Sequence, residues 1–578
     1  MMCRLLPHWA SPYPRQHLGS DVLAGIIVTI LVIPQSLAYA LLAGLPPQTG
    51  LYISIFPVIA YALFGSSMVQ AVGPVAITAI MTFSVLTPLA PPGSAEYLVL
   101  AATLALGSGL LLLAGGLLRL GFLAQLLSRP VISGFISGSA VLIVFSQLKH
   151  LFGLTSGSTD AWHLAGALLT ETRIDASTAI GFAAIVLLAF ARWGMASLLG
   201  KIGLSTTSTA FIVRLMPLFV VLGGTLAVIG WQLDSRYGVA VVGRIAEGLP
   251  GFQLFLPGLA ELKLLVVPIL LMALIGMVQN ISMAQALAIK RRERIDANAE
   301  LLGLGSANIV AAFYGGMPVG GGVSRSAVNV AAGAQTPLAS IVSAFAMLAV
   351  VAGAAPLFAR LPLAVLAASI IVAAISMIDL RALRQTWDYD RADGLAALGA
   401  AAGVCALGLE AGIALGILFS LATLLYRAST PHIAVLGRIP HSEHFRNVER
   451  HAVETIPGVL FLRIDESLFF GNLNAVETRL AAELDKSGDK SEEIRDVVLI
   501  MSAVNRVDAT AMEVLSDINR DFAERGRRLH LAEIKGPVQD RLSRSPLWPA
   551  LSGQVFLAVN DAFETLSGAA ASGPQQEI

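Results

Sequence analysis

The sequence has few charged residues and few cysteines, and its formal net charge is zero. Charged side chains make up 13% of the 578 residues, whereas 56% of the residues are hydrophobic. Soluble domains carry about twice that share of charge. The balance of 38 basic and 38 acidic residues gives no basis for a nucleic-acid partner. The two cysteines, Cys3 and Cys405, lie far apart and form neither a disulfide framework nor a zinc site. The shortage of charge therefore indicates a chain that lies mostly in an apolar solvent.

The sequence also lacks the patterns of an enzyme. Its C-terminal part has no glycine-rich nucleotide-binding motif. The chain as a whole offers no cluster of metal ligands and no convincing pair of nucleophile and base. We therefore expect a protein that is not an enzyme and that needs no metal and no cofactor.

The few charged residues are distributed unevenly. From about Asp21 to Arg427, apolar runs are broken only by short polar joints, whereas charged residues crowd the chain after Arg427. This change predicts a cytoplasmic N-terminal part at 1–20, a transmembrane domain at 21–427, a soluble domain at 428–570 and a disordered tail at 571–578. Because the first apolar run is followed at once by others, we expect it to stay in the membrane rather than to be cleaved as a signal peptide.

The apolar runs supply about fourteen segments, and a helix needs roughly 20 apolar residues to cross the hydrocarbon core of a bilayer. Two segments, near residues 75–88 and 323–332, are too short to cross alone. They stand third in the first seven and third in the second seven. Short segments interrupted by Gly or Pro at matching places of two halves are typical of inverted-repeat transporters. The alternative is a pair of ordinary re-entrant or kinked helices.

Basic residues at the joints predict the direction of the segments. The joint after the eighth segment, residues 290–294, reads Lys-Arg-Arg-Glu-Arg, and the joints after the sixth and twelfth also contain basic residues. The joint after the third, residues 89–97, contains none. Lys and Arg are enriched in cytoplasmic joints, so we expect both termini in the cytoplasm. The compact sequence, rich in Ala and Gly and with short loops, favours a bacterial inner membrane.

Polar groups at membrane depth are costly, so each one marks a candidate site. In the first segment Pro34 lacks a backbone donor and is expected to break the helix, with a Gln and a Tyr one turn apart after it. Pro74 suits the first turn of a helix in the third segment, and three glycines precede the tenth. The candidate site residues are Gln35, Tyr39, Val75, Ala76, Gln279, Asn280, Ser324 and Arg325.

The third and tenth segments together indicate the kind of ligand. Two half-helices that start at mid-membrane would point their free N–H groups and the positive ends of their dipoles toward each other, which makes an anion site from backbone alone. Arg325 would add a permanent positive charge with forked donors suited to oxyanions. In the alternative, Gln35 and Gln279 only bridge helices, and Arg325 extends to the membrane interface.

Several of these stretches carry a resemblance to a known family. The most specific are residues 33–39 with 42–47 and 50–52, residues 64–67 leading to 73–76, residues 300–305 with Asn308, and residues 324–329. On these motifs, and over nearly its whole length, the sequence resembles the SulP sulfate and anion permeases. The resemblance implies an α-helical polytopic fold with UraA-like core and gate domains. In it, fourteen segments form a seven-plus-seven inverted repeat that moves by an elevator-like displacement, and a homodimer is implied too.

The resemblance also implies where the anion lies. The family's site is between the third and tenth segments, and the matching positions here are Gln35, Tyr39, Val75, Ala76, Ser324 and Arg325. Many members carry a carboxylate in the eighth span, where proton or sodium coupling has been placed, but the matching residue here is Gln279. Gln cannot titrate, and the predicted midplane has no other Asp or Glu. We therefore expect transport to depend less on a pH gradient than in those relatives, or protons to use another group.

The C-terminal part alternates strands and helices. Runs at 459–464, 497–501 and 529–532 predict strands of a small sheet covered by helices. The pattern resembles the STAS domain, which also occurs as anti-sigma factor antagonists. In those antagonists a Ser after the Asp of a strand-to-helix turn is phosphorylated. That turn here contains Asp508 and Thr510 with Ala509 between them, so Thr510 would have to replace the usual acceptor. Helix capping or packing is its simpler role, and we expect the domain to support a dimer or to bind a cytoplasmic protein.

Together these features predict a secondary-active carrier of a small anion, with sulfate first because it is prevalent in the family. Bicarbonate, chloride exchange and C4-dicarboxylates stay open, since backbone dipoles and one arginine recognise charge more than identity. The alternative of another class is a channel-like conductor, or an anion sensor that signals through the tail. The expected partners are the anion, the lipid bilayer and a second copy of the chain, and not nucleic acid.

Overall fold

A computed structural model describes residues 7, 9–10, 13–125, 128–152, 175–202, 205–243, 248, 251–253, 257–353, 358–488 and 493–571. The chain forms two compact units, Met1–Leu421 and Ala422–Ile578. Residues 1–6 of the predicted N-terminal part and residues 572–578 of the predicted disordered tail lie outside the described residues.

The first unit is built from helices and one pair of short strands. Its helices are α1 (Leu18–Leu42), α2 (Pro47–Tyr52), α3 (Phe56–Phe64), α4 (Ala76–Leu86), α5 (Ala95–Leu117), α6 (Arg129–Phe152), α7 (Ala176–Trp193), α8 (Met195–Lys201), α9 (Thr206–Trp231), α10 (Leu233–Tyr237), α11 (Leu259–Arg291), α12 (Ala297–Tyr314), α13 (Val323–Ala331), α14 (Leu338–Gly353), α15 (Leu363–Ile375), α16 (Leu380–Tyr389), α17 (Arg391–Leu407) and α18 (Leu409–Ser429). Strands β1 (Val72–Gly73) and β2 (Gly320–Gly321) pair antiparallel.

These helices confirm the predicted membrane fold. Within the described residues, 8 stretches are long and apolar enough to cross a membrane, and shorter apolar helices such as α4 and α14 add to them. The described helices account for the fourteen predicted segments when α2 and α3 together form the second. The short third and tenth segments are α4 and α13, and each begins just after a strand of the β1–β2 pair.

The helices pack in two groups. In the first group α12 packs against α3 and α5, and α1 packs against α14. In the second group α6 packs against α15 and α17, and α7 packs against α9 and α15. We call the first the core group and the second the gate group. The core group contains both strands and both half-helices.

Glycines let α5 and α12 approach each other closely. A Cβ at Gly109 would lie 2.9 Å from the Gly305 carbonyl oxygen, and a Cβ at Gly305 would lie 2.6 Å from the Leu113 nitrogen. Small residues at a crossing permit the van der Waals packing that holds membrane helices together. The close contact fixes α12 within the core group, and with it Glu300 in the first turn of that helix.

The prediction that Pro34 breaks the first segment is wrong. α1 continues from Leu18 to Leu42 with Pro34 inside it and buried. Proline removes one backbone donor, and in apolar surroundings the remaining helical hydrogen bonds are retained because no water can replace them. Gln35 and Tyr39 therefore lie one turn apart on an unbroken helix.

The second unit contains a 6-stranded sheet with the strand order β4-β3-β5-β6-β7-β8. Its elements are β3 (Ile433–Arg438), β4 (Phe445–Asn447), β5 (Val459–Ile464), α19 (Leu473–Gly488), β6 (Asp496–Ile500), α20 (Ala509–Glu524), β7 (Arg528–Ala532), α21 (Gly536–Leu542), α22 (Leu547–Ala550), β8 (Val555–Phe556) and α23 (Val559–Ala571). Strands β5 to β8 are parallel, and β3 runs antiparallel to both β4 and β5. The three predicted strands are present as β5, β6 and β7.

Apolar side chains cover both faces of this sheet. On one face Leu462 and Leu499 belong to a cluster with Leu515 of α20, and on the other face Phe461 belongs to a cluster with Phe563 of α23. Strands that are buried on both faces appear in a sequence as continuous apolar runs. This is why the pattern of residue types identified them.

Candidate functional site

The β1–β2 pair brings the starts of α4 and α13 together. Val75 is the N-cap residue of α4 and Gly322 is that of α13, and neither provides a side-chain acceptor. The first-turn N–H groups of both helices are therefore left for another partner, and the positive ends of both helix dipoles lie beside the strand pair. The backbone alone thus offers donors to an anion.

Arg325 lies in the first turn of α13 and reaches β1. It is 5% exposed, its Nη1 donates to the Val72 carbonyl at 2.9 Å, and its Nη2 donates to the Pro74 carbonyl at 3.2 Å. Its Nε is buried and has no hydrogen-bond partner among the described residues. The guanidinium is therefore held inside the core group instead of extending to an interface, and one of its donors is uncommitted.

Helix α1 brings two more predicted residues to the same place. Gln35 and Tyr39 are half-buried, whereas the residues between them are buried, so both side chains lie on the accessible side of α1. α1 packs against α4 and α13, and Tyr39 is close enough to Arg325 for an electrostatic interaction. Val75 is buried and Ala76 is half-buried. The predicted residues of the first, third and tenth segments thus lie together.

Gln279 lies at the edge of this arrangement. Its Nε2 is 3.5 Å from the Gly321 carbonyl of β2, and its side chain is half-buried. It therefore contacts the strand that leads into α13. Ser324 is the second residue of α13, and its side chain lies outside the described part of the structure.

Asn280 is bonded at both ends of its amide. It is 1% exposed, its Nδ2 donates to Glu300 Oε2 at 2.8 Å, and its Oδ1 accepts from Gln70 Nε2 at 2.5 Å. Its contact with an anion stays a prediction, because the bonds that the structure gives to this amide are to protein groups.

The sequence reasoning missed Glu300 as part of the site. Its carboxylate is wholly buried and accepts hydrogen bonds from Tyr61, Ser66, Ser67 and Asn280. Within the sequence, Glu300 stands in the first turn of a helix, where an acidic residue is ordinary because it favours the helix dipole. Nothing local distinguished it from a solvated carboxylate.

Three other buried polar residues that hold the half-helices were missed as well. Ser326 Oγ accepts from the Ala71 N–H at 3.0 Å, and Asn329 Nδ2 donates to the Val69 carbonyl at 2.9 Å, so α13 is fastened to the chain before β1. Asn308 Oδ1 accepts from the Val319 N–H at 2.9 Å, and its Nδ2 donates to the Val319 carbonyl at 3.1 Å. The signal that could have found them is the cost of an unpaired polar side chain in an apolar segment.

The two predicted regulatory residues lie at the start of α20. Asp508 is the N-cap of this helix, since its Oδ1 accepts from the Ala511 N–H at 2.8 Å, and its Oδ2 accepts from the Phe470 N–H at 3.1 Å. Thr510 is exposed in the first turn. The capping role suggested for Thr510 therefore belongs to Asp508, and a regulatory role for either residue stays a prediction.

A second polar cluster joins β6 to β7 in this unit. Arg528 donates to the Asp496 carboxylate through Nε at 2.7 Å and Nη2 at 2.9 Å, and His530 Nε2 lies 2.9 Å from Asp496 Oδ1. His530 Nδ1 accepts from the Gln554 N–H at 3.0 Å. Burial raises the pKa of Asp496, but the hydrogen bonds from His530 and Arg528 outweigh it and hold that pKa below its usual value.

The sequence is similar to those of known proteins. Residues 18–400 match the Sulfate permease family, and residues 450–562 match the STAS domain. A probable sulfate transporter of Mycobacterium tuberculosis is 33% identical over 537 residues, which cover 93% of this chain and 92% of that protein. Sulfate transporter 3.1 of Arabidopsis thaliana is 32% identical over 577 residues, which cover 97% of this chain and 86% of that protein.

Solved structures share the fold. The murine solute carrier 26 family member A9, an anion transporter in the inward-facing state, gives a TM-score of 0.85 at 23% identity over 98% of this chain and 94% of its own. The transmembrane domain of the cyanobacterial bicarbonate transporter BicA gives a TM-score of 0.59 at 23% identity over 69% of this chain and 98% of its own. At these identities the likeness concerns the fold alone.

Proposed function

The chain belongs to the sulfate permease family, and on that premise we propose that it is a secondary-active transporter of small inorganic anions, with sulfate as its principal cargo. It is a multi-pass membrane protein of a transporter family, so the prediction that it is not an enzyme is confirmed. The relatives named as sulfate transporters match along nearly the whole chain. Their names support sulfate as the cargo.

The facing starts of α4 and α13 carry this proposal. Val75 and Gly322 leave the first-turn N–H groups of both helices uncapped by side chains, and Arg325 is buried beside them. A tetrahedral oxyanion can accept from both sets of N–H groups and from a guanidinium at once. Gln35 and Tyr39 on α1 would close the site from the side.

The two helix groups support an elevator-like movement. The core group carries α4, α13 and the anion, and the gate group would stay in place while the core group moves along it. A cavity of about 310 Å³ lies between the groups. Its lining includes Ser84 of α4, Pro88 just after α4, Leu264 and Pro268 of α11, and Leu407 and Leu409 at the α17–α18 joint. Residues of both groups line this cavity, as expected where two rigid bodies slide past each other.

The test is uptake of labelled sulfate into sealed liposomes that contain the purified protein, beside Arg325→Ala. Uptake should saturate with sulfate concentration, and the variant should lose at least about tenfold, since a hydrogen bond to a charged group contributes about 1.5–3 kcal/mol. Arg384→Ala is the matched control, because Arg384 of α16 is exposed and its partner is Asp388. Arg325→Lys keeps the charge and tests whether the forked donors are needed.

Each outcome of this experiment decides between functions. No sulfate uptake into vesicles that are sealed and loaded would reject sulfate as the cargo and turn the test to bicarbonate, chloride and dicarboxylates. Uptake that is unchanged in Arg325→Ala would reject the site. Conductance without saturation would favour a channel, and anion binding without flux would favour a sensor that acts through the STAS domain.

The channel and sensor alternatives rest on one residue. By its resemblance to the family, Gln279 matches a position where many members carry a carboxylate. Its Nε2 lies 3.5 Å from the Gly321 carbonyl oxygen. A neutral amide cannot take up and release a proton in each cycle. The driving ion would then be another one, or exchange of one anion for another would drive transport.

We also propose a cellular arrangement for the protein. Its basic joints favour a cytoplasmic location for both termini, and the membrane would be a bacterial inner membrane. The STAS domain would support a homodimer or bind a cytoplasmic protein. Proteolysis of spheroplasts, compared with inverted vesicles, would test the orientation. A STAS domain that is cleaved from the outer side would reject it.

A further inference from the structure

The buried carboxylate of Glu300 lies among neutral hydrogen-bond donors. Oε1 accepts from the Ser66 N–H at 2.9 Å, the Ser66 hydroxyl at 2.8 Å and the Ser67 N–H at 2.8 Å. Oε2 accepts from the Tyr61 hydroxyl at 2.6 Å and from Asn280 Nδ2 at 2.8 Å. Two of these donors, the backbone N–H groups of Ser66 and Ser67, cannot turn into acceptors, so Oε1 serves as an acceptor.

Glu300 fixes the direction of two side-chain amides. Because Asn280 Nδ2 donates to the carboxylate, Asn280 Oδ1 must point the other way, and there it accepts from Gln70 Nε2. Gln70 and Asn280 are both buried. A charged acceptor at one end of this chain therefore sets the orientation of both amides.

The amide chain ends against β2. A Cβ at Gly321 would collide with Gln70 Nε2 and would lie 2.9 Å from Asn280 Oδ1, so both amides touch the backbone of this strand. β2 leads directly into α13 and Arg325. The two amides thus fix the position of β2, and with it the position at which α13 begins.

The same carboxylate also binds the segment that precedes β1. Ser66 and Ser67 precede Val72 in the segment between α3 and β1, and both of their N–H groups donate to Glu300 Oε1. One carboxylate therefore fixes the segment that leads into α4, and it fixes the strand that leads into α13 through Asn280 and Gln70.

We propose that Glu300 is a positioning residue for anion binding, which sets the spacing between the starts of α4 and α13 through Ser66 and Ser67 on one side and Asn280 and Gln70 on the other. The proposal rests on the proposed function, since it names what holds that site. It also explains why Glu300 does not neutralise Arg325. The carboxylate accepts from neutral donors, so the charge of the guanidinium remains for the anion.

The test measures anion binding separately from transport. Kd for sulfate, and then for chloride and bicarbonate, is measured by isothermal titration calorimetry on the full-length protein in detergent, for the wild type and Glu300→Gln. The glutamine is isosteric, but its NH₂ group must face donors at one end or the other. We expect Kd to rise about tenfold, because displaced helix starts would lose about one charge-assisted hydrogen bond to the anion, which is worth about that factor in an equilibrium constant. Glu300→Asp, which keeps the charge, should recover part of the affinity.

A double-mutant cycle distinguishes positioning from general stability. If Glu300 acts through Asn280, then Glu300→Gln and Asn280→Ala together should weaken binding no more than the stronger of the two alone. Gln70→Ala leaves Glu300 intact and should also raise Kd, so it tests the proposal even if Glu300→Gln fails to fold. Independent, multiplying effects on Kd, or an unchanged Kd in Gln70→Ala and Glu300→Gln, would overturn it.

Asp21 offers a matched control. Its carboxylate is also fully buried and accepts from Tyr13, Gln335 and Thr336, and none of these bonds involves Asn280 or Gln70. Asp21→Asn should lower the melting temperature and leave Kd unchanged, whereas a rise in Kd as large as that of Glu300→Gln would overturn the positioning role. If the wild type binds anion without transporting it, only the proposed function fails. If it binds none of the three anions, both proposals fail.

Discussion

The guanidinium of Arg325 fills the space that a side chain at Gly73 would need. A Cβ built at Gly73 collides with Arg325 Nη1, and Gly73 itself has φ of +156°. Gly73 lies in β1 between Val72 and Pro74, whose carbonyls accept the two guanidinium hydrogen bonds. Glycine is thus required at this position both for its backbone angle and for the room that it leaves to the cation.

Gly73→Ala is therefore expected to displace Arg325 and weaken anion binding. The alanine methyl group would push the guanidinium away from both carbonyls, and we expect a loss of affinity of about tenfold or more, from the loss of charged hydrogen bonds. Binding of sulfate to the purified protein is the measurement. Gly223→Ala in α9 is the control, since a Cβ there meets nothing within 4 Å. Equal affinities in the two variants would contradict the expectation.

Asn308→Ala is expected to loosen the chain before β2. The side chain of Asn308 pairs with both backbone groups of Val319, and its removal leaves them unsatisfied at a cost of about 1–3 kcal/mol for a buried group. The melting temperature in detergent should fall. Ser306→Ala on the same helix should have a much smaller effect, because the Ser306 hydroxyl only donates to carbonyls of its own helix. A similar fall in both variants would argue against a special role for Asn308.

Gln279→Glu should introduce a dependence on the pH gradient. The wild-type glutamine cannot carry a proton, so collapse of the gradient across the liposome should leave the initial rate of anion uptake unchanged. A glutamate at this place, next to the Gly321 carbonyl, can exchange a proton during the cycle. Uptake is measured with and without a protonophore for both proteins. A wild type that loses uptake when the gradient is collapsed would mean that protons use another group.

The STAS domain should lose stability in acid, because the stabilising contribution of the Asp496 carboxylate is lost there. The pKa of Asp496 is lower in the folded protein than its usual value, mainly because hydrogen bonds from His530 and Arg528 outweigh burial. This contribution is present above the usual carboxyl pKa of about 3.9 and is lost as the pH falls through the lower, folded value.

Asp496→Asn tests this dependence on pH. The variant lacks the contribution at every pH, so the difference in stability between wild type and variant should shrink as the pH falls below about 4. Hydrogen exchange of peptides from β6 and β7 in the full-length protein, corrected for the intrinsic rate, is the measurement. A difference that stays constant between neutral pH and pH of about 3 would show that the charge of Asp496 is not what stabilises this pair of strands.

The sequence predicted the layout of the chain because local signals encode it. Long apolar runs predict membrane helices, and the short segments after Pro74 and before Ser324 predict a pair of half-helices. Continuous apolar runs predicted β5 and β6, and Asp508 marked the start of α20. Each of these features follows from residues within about one helix turn or strand of one another.

Local rules failed where the surroundings decided the outcome. A proline inside a helix commonly breaks it in water, yet α1 continues through Pro34. An apolar environment offers the backbone no other hydrogen-bond partners. The partners of Asn280 could not be read from its own position either, because Glu300 and Gln70, which bond to the two ends of its amide, are not its neighbours in the sequence. Its contact with an anion stays a prediction.

By itself the sequence determined the membrane segments, the α/β tail, the position of the two half-helices and the presence of one arginine at the start of the second. Only the tertiary structure decided which buried polar groups pair with one another. Glu300 accepts a hydrogen bond from a residue 234 positions before it, and Arg325 donates to a carbonyl 253 positions before it. The direction of a buried amide or guanidinium is set by whichever partner removes its desolvation cost, and that partner is brought near by the packing of distant helices.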